Sequence, residues 1–228
     1  MFVFLDFYTI LNNDVSMKKI GEGYYYNVFD LGNNRVLKKR KSKIRMFLYI
    51  MVSRRFHPNF IREYKNATNT IKYFGEIYKK IRDTQIDTAL LGNPVFLNEI
   101  EYEQDKVQII RPMLTSLSEQ ETKDLLDKYI ISIKELWKYG IADKVYNFTI
   151  NNGVNINKNV VLIDFNEVVF EKNQVQNAIN EELWLKRWSY THLSENIKQY
   201  YEDTMRASLT LESLDNLWGS YQRGGILK

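Results

Sequence analysis

At 228 residues, with 44% hydrophobic, 26% charged and 14% aromatic positions, the chain can bury a core as one domain or two closely packed lobes and is not a disordered segment. The net charge of +4 comes from 32 basic and 28 acidic residues. It suits an anionic ligand without demanding nucleic acid. There is no cysteine, so disulfides and thiolate chemistry are excluded, and with His57 and His192 as the histidines a histidine metal cluster is not expected. The opening Met1-Phe2-Val3-Phe4-Leu5 run meets Asp6 at once and lacks a basic leader. It is too short for a signal peptide or a membrane span, so a soluble cytoplasmic protein is expected.

The first 40 residues alternate like β structure. Three antiparallel strands are expected at 15–20, 24–31 and 35–39, with Gly32-Asn33-Asn34 as a tight turn. Helical signal follows at 44–52. After His57-Pro58, the apolar spacing of Phe60, Ile61, Tyr64, Ile71, Phe74, Ile77, Tyr78 and Ile81 predicts one or two amphipathic helices. Residues 94–113 return to strand character, with Glu103-Gln104-Asp105-Lys106 as the hairpin turn.

Ser118 and Glu121 have the spacing of a capping box, opening a helix that buries Leu125, Leu126, Tyr129, Ile133 and Trp137 and ends at Gly140. Two short strands, 153–156 and 160–163, are joined by Asn157-Lys158-Asn159. From residue 175 onward the pattern is helical, with Trp184, Trp188, Leu209, Leu214 and Trp218 as core. The boundary falls near 111–116, dividing a β-rich unit (1–112) from a helical one (113–228).

Two segments carry chemistry. In Ile20-Gly21-Glu22-Gly23-Tyr24-Tyr25-Tyr26-Asn27-Val28, Gly21 and Gly23 let backbone approach phosphate oxygens, and Val28 would cover a purine. The third glycine of such a loop is Tyr26, so an ordinary β-turn is the competing reading. Ten residues after Val28 comes Lys38, on the same strand face as Val36. Val36 could roof the base while Lys38 reaches phosphates, although Lys38-Lys39-Arg40-Lys41 also reads as a solvated basic run. Glu63 is the first choice for an acidic partner to Lys38, and Glu76 the second.

Downstream, Val160-Val161-Leu162-Ile163-Asp164-Phe165-Asn166 reads as a buried strand ending in a carboxylate. Such a group is costly unless paired or metal-bound, and Mg2+ favours it as a ligand. For Glu167 both readings stay open, an assisting role and a surface one.

The order of hairpin, strand lysine and strand-end Asp-Phe resembles the protein-kinase-like fold. With its short second hairpin, 28–38, it is closer to the aminoglycoside-phosphotransferase and small-kinase side than to eukaryotic protein kinases. The resemblance covers residues 15–170 and implies an α+β, two-lobed fold with an antiparallel N-lobe sheet and a minimal helical C-lobe. It implies ATP and Mg2+ as cofactors, with Lys38 on the phosphates, Glu63 orienting it and Asp164 on the metal.

The catalytic loop departs from that pattern. No His-Arg-Asp triplet occurs in 140–153, and Asp143 is the available base. Asn147 follows it by four residues rather than five, whereas Asn151 stands at the family's 13-residue separation from Asp164 and has Tyr146 five residues before it. Both asparagines are therefore candidate metal ligands. Asn166 replaces the last glycine of the Asp-Phe-Gly triplet, and the 64 residues after Asp164 contain no Ala-Pro-Glu, which argues against a conventional protein kinase. The expected function is an ATP-dependent phosphotransferase of unknown acceptor, with a nucleotide-binding pseudokinase as the alternative. Single-stranded nucleic-acid binding through the 38–45 basic run and Arg54-Arg55 is disfavoured by the small net charge.

Overall fold

A computed structural model describes residues 17–23, 25–53, 59–187, 190 and 193–221. Tyr24, Arg54, Arg55, His57, Trp188, His192, the opening hydrophobic run and the first residues of the first expected strand lie outside them.

Strands β1 (Lys18–Glu22), β2 (Tyr26–Gly32) and β3 (Arg35–Arg40) form an antiparallel meander. The turn between β2 and β3 places Gly32, Asn33 and Asn34 at φ of 72°, 47° and 57°, the left-handed region that Gly and Asn enter most readily. Helices α1 (Lys43–Ser53), α2 (Phe60–Lys72) and α3 (Phe74–Asp83) follow, then a 3-10 turn at Thr88–Leu91. Strands β4 (Val95–Phe96) and β5 (Glu101–Asp105) complete a five-stranded sheet in the order β1-β2-β3-β5-β4.

The 94–113 segment differs from expectation. The hairpin turn lies at residues 97–100, where Asn98 Oδ1 accepts the Ile100 N–H at 2.8 Å, and β5 runs straight through Glu103 and Gln104. Gln104 is buried and its amide N–H reaches the Leu91 carbonyl at 2.6 Å, so the polar stretch read as a turn is an inner strand of the sheet. After β6 (Gln108–Ile109), a single helical turn, α4 (Ile110–Met113), replaces the expected strand.

The long helix α5 (Glu119–Lys138) starts with the anticipated capping box: the Glu121 N–H donates to Ser118 Oγ and the Ser118 N–H to the Glu121 carboxylate. Gly140, at φ 71°, closes it through a bond to the Trp137 carbonyl. Removing the cap in Ser118→Ala is expected to cost about 1 kcal/mol, a melting-point drop of roughly 2–4 °C by calorimetry.

Strand β7 (Ala142–Asp143) pairs antiparallel with β10 (Val168–Val169), and β6 pairs with β8 (Asn152–Val154), which pairs with β9 (Val160–Leu162). Helices α6 (Lys172–Asn180), α7 (Glu195–Ser208) and α8 (Leu211–Leu217) pack the second half. Its core gathers Leu126, Tyr129, Trp137, Trp184, Leu209 and Leu214. A second core joins Tyr26, Phe74, Tyr78 and Tyr102 of the first half to Leu136, Leu162 and Phe165 of the second. The expected α+β, two-lobed architecture is present: an antiparallel sheet with helices, then a mainly helical lobe. Among the described residues no helix is long and apolar enough to cross a membrane.

Candidate active site

A cleft of about 780 Å³ is lined by Gly23, Val28 and Lys38 of the sheet, Glu63 of α2, and Asn147, Asn151, Asp164 and Glu167 of the second half. Eight of the twelve residues singled out from the sequence thus meet in one cavity. Gly21, Val36, Glu76 and Asp143 are not in its lining.

The hairpin over the cleft is built from a β-bulge between Lys19 and Gly21. The Gly23 N–H closes the turn on the Tyr26 carbonyl at 2.9 Å, and the space where its Cβ would stand has nothing within 4 Å. Gly23 therefore supplies room for a ligand rather than a free amide. Gly21 backs onto Val28. Tyr26, at the third-glycine position, lines the cleft while its hydroxyl shares a hydrogen bond with that of Tyr78. Its ring stacks on Phe74, with centroids 6.0 Å apart. A glycine there would leave this aromatic wall incomplete.

Lys38 lies opposite Val28 on β2 and Tyr102 on β5, and its Nζ donates to the Ile163 carbonyl at 2.6 Å. The sheet lysine thus reaches across to the residue before Asp164. Burial pulls its pKa down to about 8, with the Asp164 charge opposing the shift. Val36 is buried in the sheet. The rest of the basic run is not a solvated strip. Lys39 pairs with Glu101 at 3.2 Å, and Lys41, with its side chain 1% exposed, pairs with Glu22 at 2.6 Å.

Glu63 sits in the first turn of α2 and faces the cleft. Helix α3 packs Phe74, Tyr78 and Ile81 inward, leaving Glu76 exposed. The helix against the sheet therefore offers aromatics where an acid was considered.

The loop after β7 arranges the remaining polar groups. Asp143 is 4% exposed. Its carboxylate accepts the N–H of Val145 at 2.9 Å, that of Asn147 at 3.3 Å and the Asn151 amide at 3.5 Å. Burial raises its pKa to about 7; Glu167 and Asp164 add to the rise, and the two backbone bonds oppose it. Tyr146 adopts φ 50°, which turns its ring into the helical core, 5.9 Å from Trp184. The residue five before Asn151 therefore faces away from the cleft. Asn147 Oδ1 and Thr149 Oγ1 are buried without hydrogen-bond partners, and both residues line the cleft.

Asp164 follows β9, and the Asn151 carbonyl accepts the N–H groups of Ile163 and Asp164 at 2.8 and 3.2 Å. Glu167, at the end of a 3-10 turn over Phe165–Glu167, lines the same cavity. Its pKa is raised first by burial, then by Asp164, against a bond from the Asn151 side chain. Of its two readings, the surface one is removed.

Among the described residues no group of three or more His, Cys, Asp or Glu side chains forms a metal centre. The hard oxygens of Asp164 and the orphaned Asn147 amide nonetheless fit Mg2+, which binds through one or two carboxylates plus phosphate oxygens. Thr149, Arg111 and Pro112 also line the cleft and were not anticipated. No short-range pattern marks them, because they enter through the fold's crossover between halves.

No family model matches the chain, and no curated protein matches it. Among solved structures it is similar to ADP-bound aminoglycoside phosphotransferase APH(2'')-Ib, with a TM-score of 0.43 and 11% identity over 97% of this chain and 92% of that one. It is similar to gentamicin-bound APH(2'')-IIa, with a TM-score of 0.43 and 11% identity over 92% and 85%. Similarity to WbdD has a TM-score of 0.45 and 18% identity over 90% of this chain and 47% of that one, so the chain spans about half of WbdD. Likeness at this level brings no substrate or residue role with it. The chain's own order of hairpin, strand lysine, helices and strand-end Asp164 surrounds one cleft.

Proposed function

We propose that this chain is a kinase-like phosphotransferase that binds Mg2+–ATP between its two halves, with the acceptor open. The observation that carries the proposal is the meeting of Lys38 and Asp164 in one cleft beneath the Gly23 hairpin. Val28 would cover the base. With its pKa near 8, Lys38 is mainly protonated at neutral pH, and a phosphate beside it would favour that form further. Asp164 and Asn147 would hold the cation, with Glu63 facing the same space. When bound, Mg2+ would neutralise charge on the transferred group, and the chain's share is chiefly positioning.

Asp143 is the proposed acceptor of the substrate proton. It is also the residue that favours the second reading, a nucleotide-binding pseudokinase. Its carboxylate is buried and engaged by its own loop, and Tyr146 occupies the other register while facing the core.

Thermal melting with Mg2+–ATP tests the nucleotide site. Ligand at 100 times its Kd stabilises by about 2.7 kcal/mol, a rise of roughly 5–10 °C for a chain of this size. The rise should require Mg2+ and vanish in Lys38→Ala and Asp164→Ala; the absence of any rise in the wild type would sink the proposal. Asp143→Ala separates the two readings. A catalyst loses turnover and keeps nucleotide affinity, while a pseudokinase has no wild-type turnover to lose.

A further inference from the structure

Asp164 and Glu167 are three residues apart across a 3-10 turn. Side chains at that spacing eclipse one another on such a turn, whereas Phe165 between them points into the aromatic core and is fully buried. Both acids line the cleft, close enough for the Asp164 charge to act on Glu167. Two half-buried carboxylates held this way repel; Lys38 acts on Asp164, and Arg187 and Lys144 act on Glu167, whereas a shared cation would join the pair directly.

Two further observations point to that cation. Asn147 Oδ1 and Thr149 Oγ1 line the same cavity with no partner, and Thr149 is 2% exposed. A buried oxygen in that state is costly until something satisfies it. The Asn151 side chain, by contrast, is engaged. Its amide reaches Asp143 at 3.5 Å and also bonds Glu167.

Building on the nucleotide-cleft proposal above, we infer that Glu167 is a metal-binding residue that shares the nucleotide's divalent cation with Asp164. Asn147 Oδ1 is the neutral donor beside them. Asn151 is a positioning residue, holding the Glu167 carboxylate in place through its side-chain amide. The cation thus takes an acid pair from a single turn, Asp164 and the residue that follows Asp-Phe-Asn.

The test is calorimetric affinity of the full chain for a non-hydrolysable ATP analogue, measured with excess Mn2+ and again with EDTA. In the wild type the metal should raise affinity. In Glu167→Gln that gain should shrink by at least about tenfold, the scale on which even outer metal contacts act, while affinity in EDTA stays the same. Asp164→Asn should behave likewise, and Glu76→Gln, exposed on α3, should match the wild type. Glu167→Asp keeps the charge and shortens the reach, so it should lose part of the gain; it carries the test if Glu167→Gln does not fold. A role in packing alone would lower the ligand-free melting point and leave the Mn2+ gain intact. If Glu167→Gln and Glu167→Asp keep the full gain while Asp164→Asn loses it, the inference falls and the nucleotide cleft stands. If the wild type takes up no analogue under either condition, the cleft reading falls and the inference with it.

Discussion

Phe165→Ala is expected to lower folding stability by about 3–5 kcal/mol, the cost of emptying a fully packed aromatic site. The Phe165 ring is 0% exposed and lies 5.0 Å from the Tyr102 ring, 5.9 Å from Phe96 and 6.0 Å from Tyr78. These partners come from the sheet and from α3, whereas Phe165 belongs to the strand-end segment of the other half. The ring is thus a bolt between halves as well as a core side chain. A second consequence follows from its neighbour. Asp164 is held by backbone bonds to Asn151 and by the seating of Phe165. An empty ring site should therefore reduce Mg2+–ATP stabilisation as well as baseline stability. Urea unfolding of the wild type, Phe165→Ala and Phe165→Leu checks both. The Leu variant, which fills part of the volume, should lose less than the Ala variant. A loss below about 1 kcal/mol in Phe165→Ala would mean that the two halves are joined elsewhere.

What could be read from the sequence was what local physics decides. The Ser118–Glu121 box, the Gly140 stop and the Asn33-Asn34 turn each depend on residues within one turn of backbone, and each stands where it was expected. The four aliphatic residues before Asp164 had one sensible use, a buried strand. The 103–106 stretch failed for the converse reason. Glu103 and Gln104 look like turn residues until β3 lies beside them, with Leu37 opposite Glu103 and Val36 opposite Gln104. Polarity misled because pairing is non-local.

The site was legible as a set of residues and not as a geometry. Lys38, Glu63 and Asp164 reach one cavity, yet counting residues left the catalytic loop in two registers. The positive φ of Tyr146 bends the loop sharply there. Asn147 and Asn151 both line the cleft. Lys41 shows the same limit: nothing in a run of four basic residues says which one will be buried against Glu22 and the Tyr49 ring, 3.3 Å from its centroid.

Stability should fall as pH rises from about 4 to 7, stay low to about 8, and recover toward pH 10. The fall comes from Asp143. Its carboxyl holds a proton in the fold until about pH 7, against an ordinary value of 3.8. Between those values the folded chain binds more protons than the unfolded one, so unfolding free energy decreases with pH. The full span corresponds to roughly 4 kcal/mol. Glu167, also raised, acts in the same direction. Carboxylates lowered by partners, such as Glu121 beside Ser118, contribute the opposite slope, but they do so at more acidic pH. The recovery comes from Lys38. With its pKa near 8 in the fold and 10.5 ordinarily, it binds fewer protons folded than unfolded across that interval, so stability climbs. Urea midpoints at pH 5.5, 7.5 and 9.5 would trace the curve. Asp143→Asn should remove most of the fall and keep the rise, and Lys38→Met should do the reverse. An unchanged fall in Asp143→Asn would mean that the carboxylate is better solvated than its burial indicates. It would then be free to meet a substrate hydroxyl, which favours the catalyst over the pseudokinase.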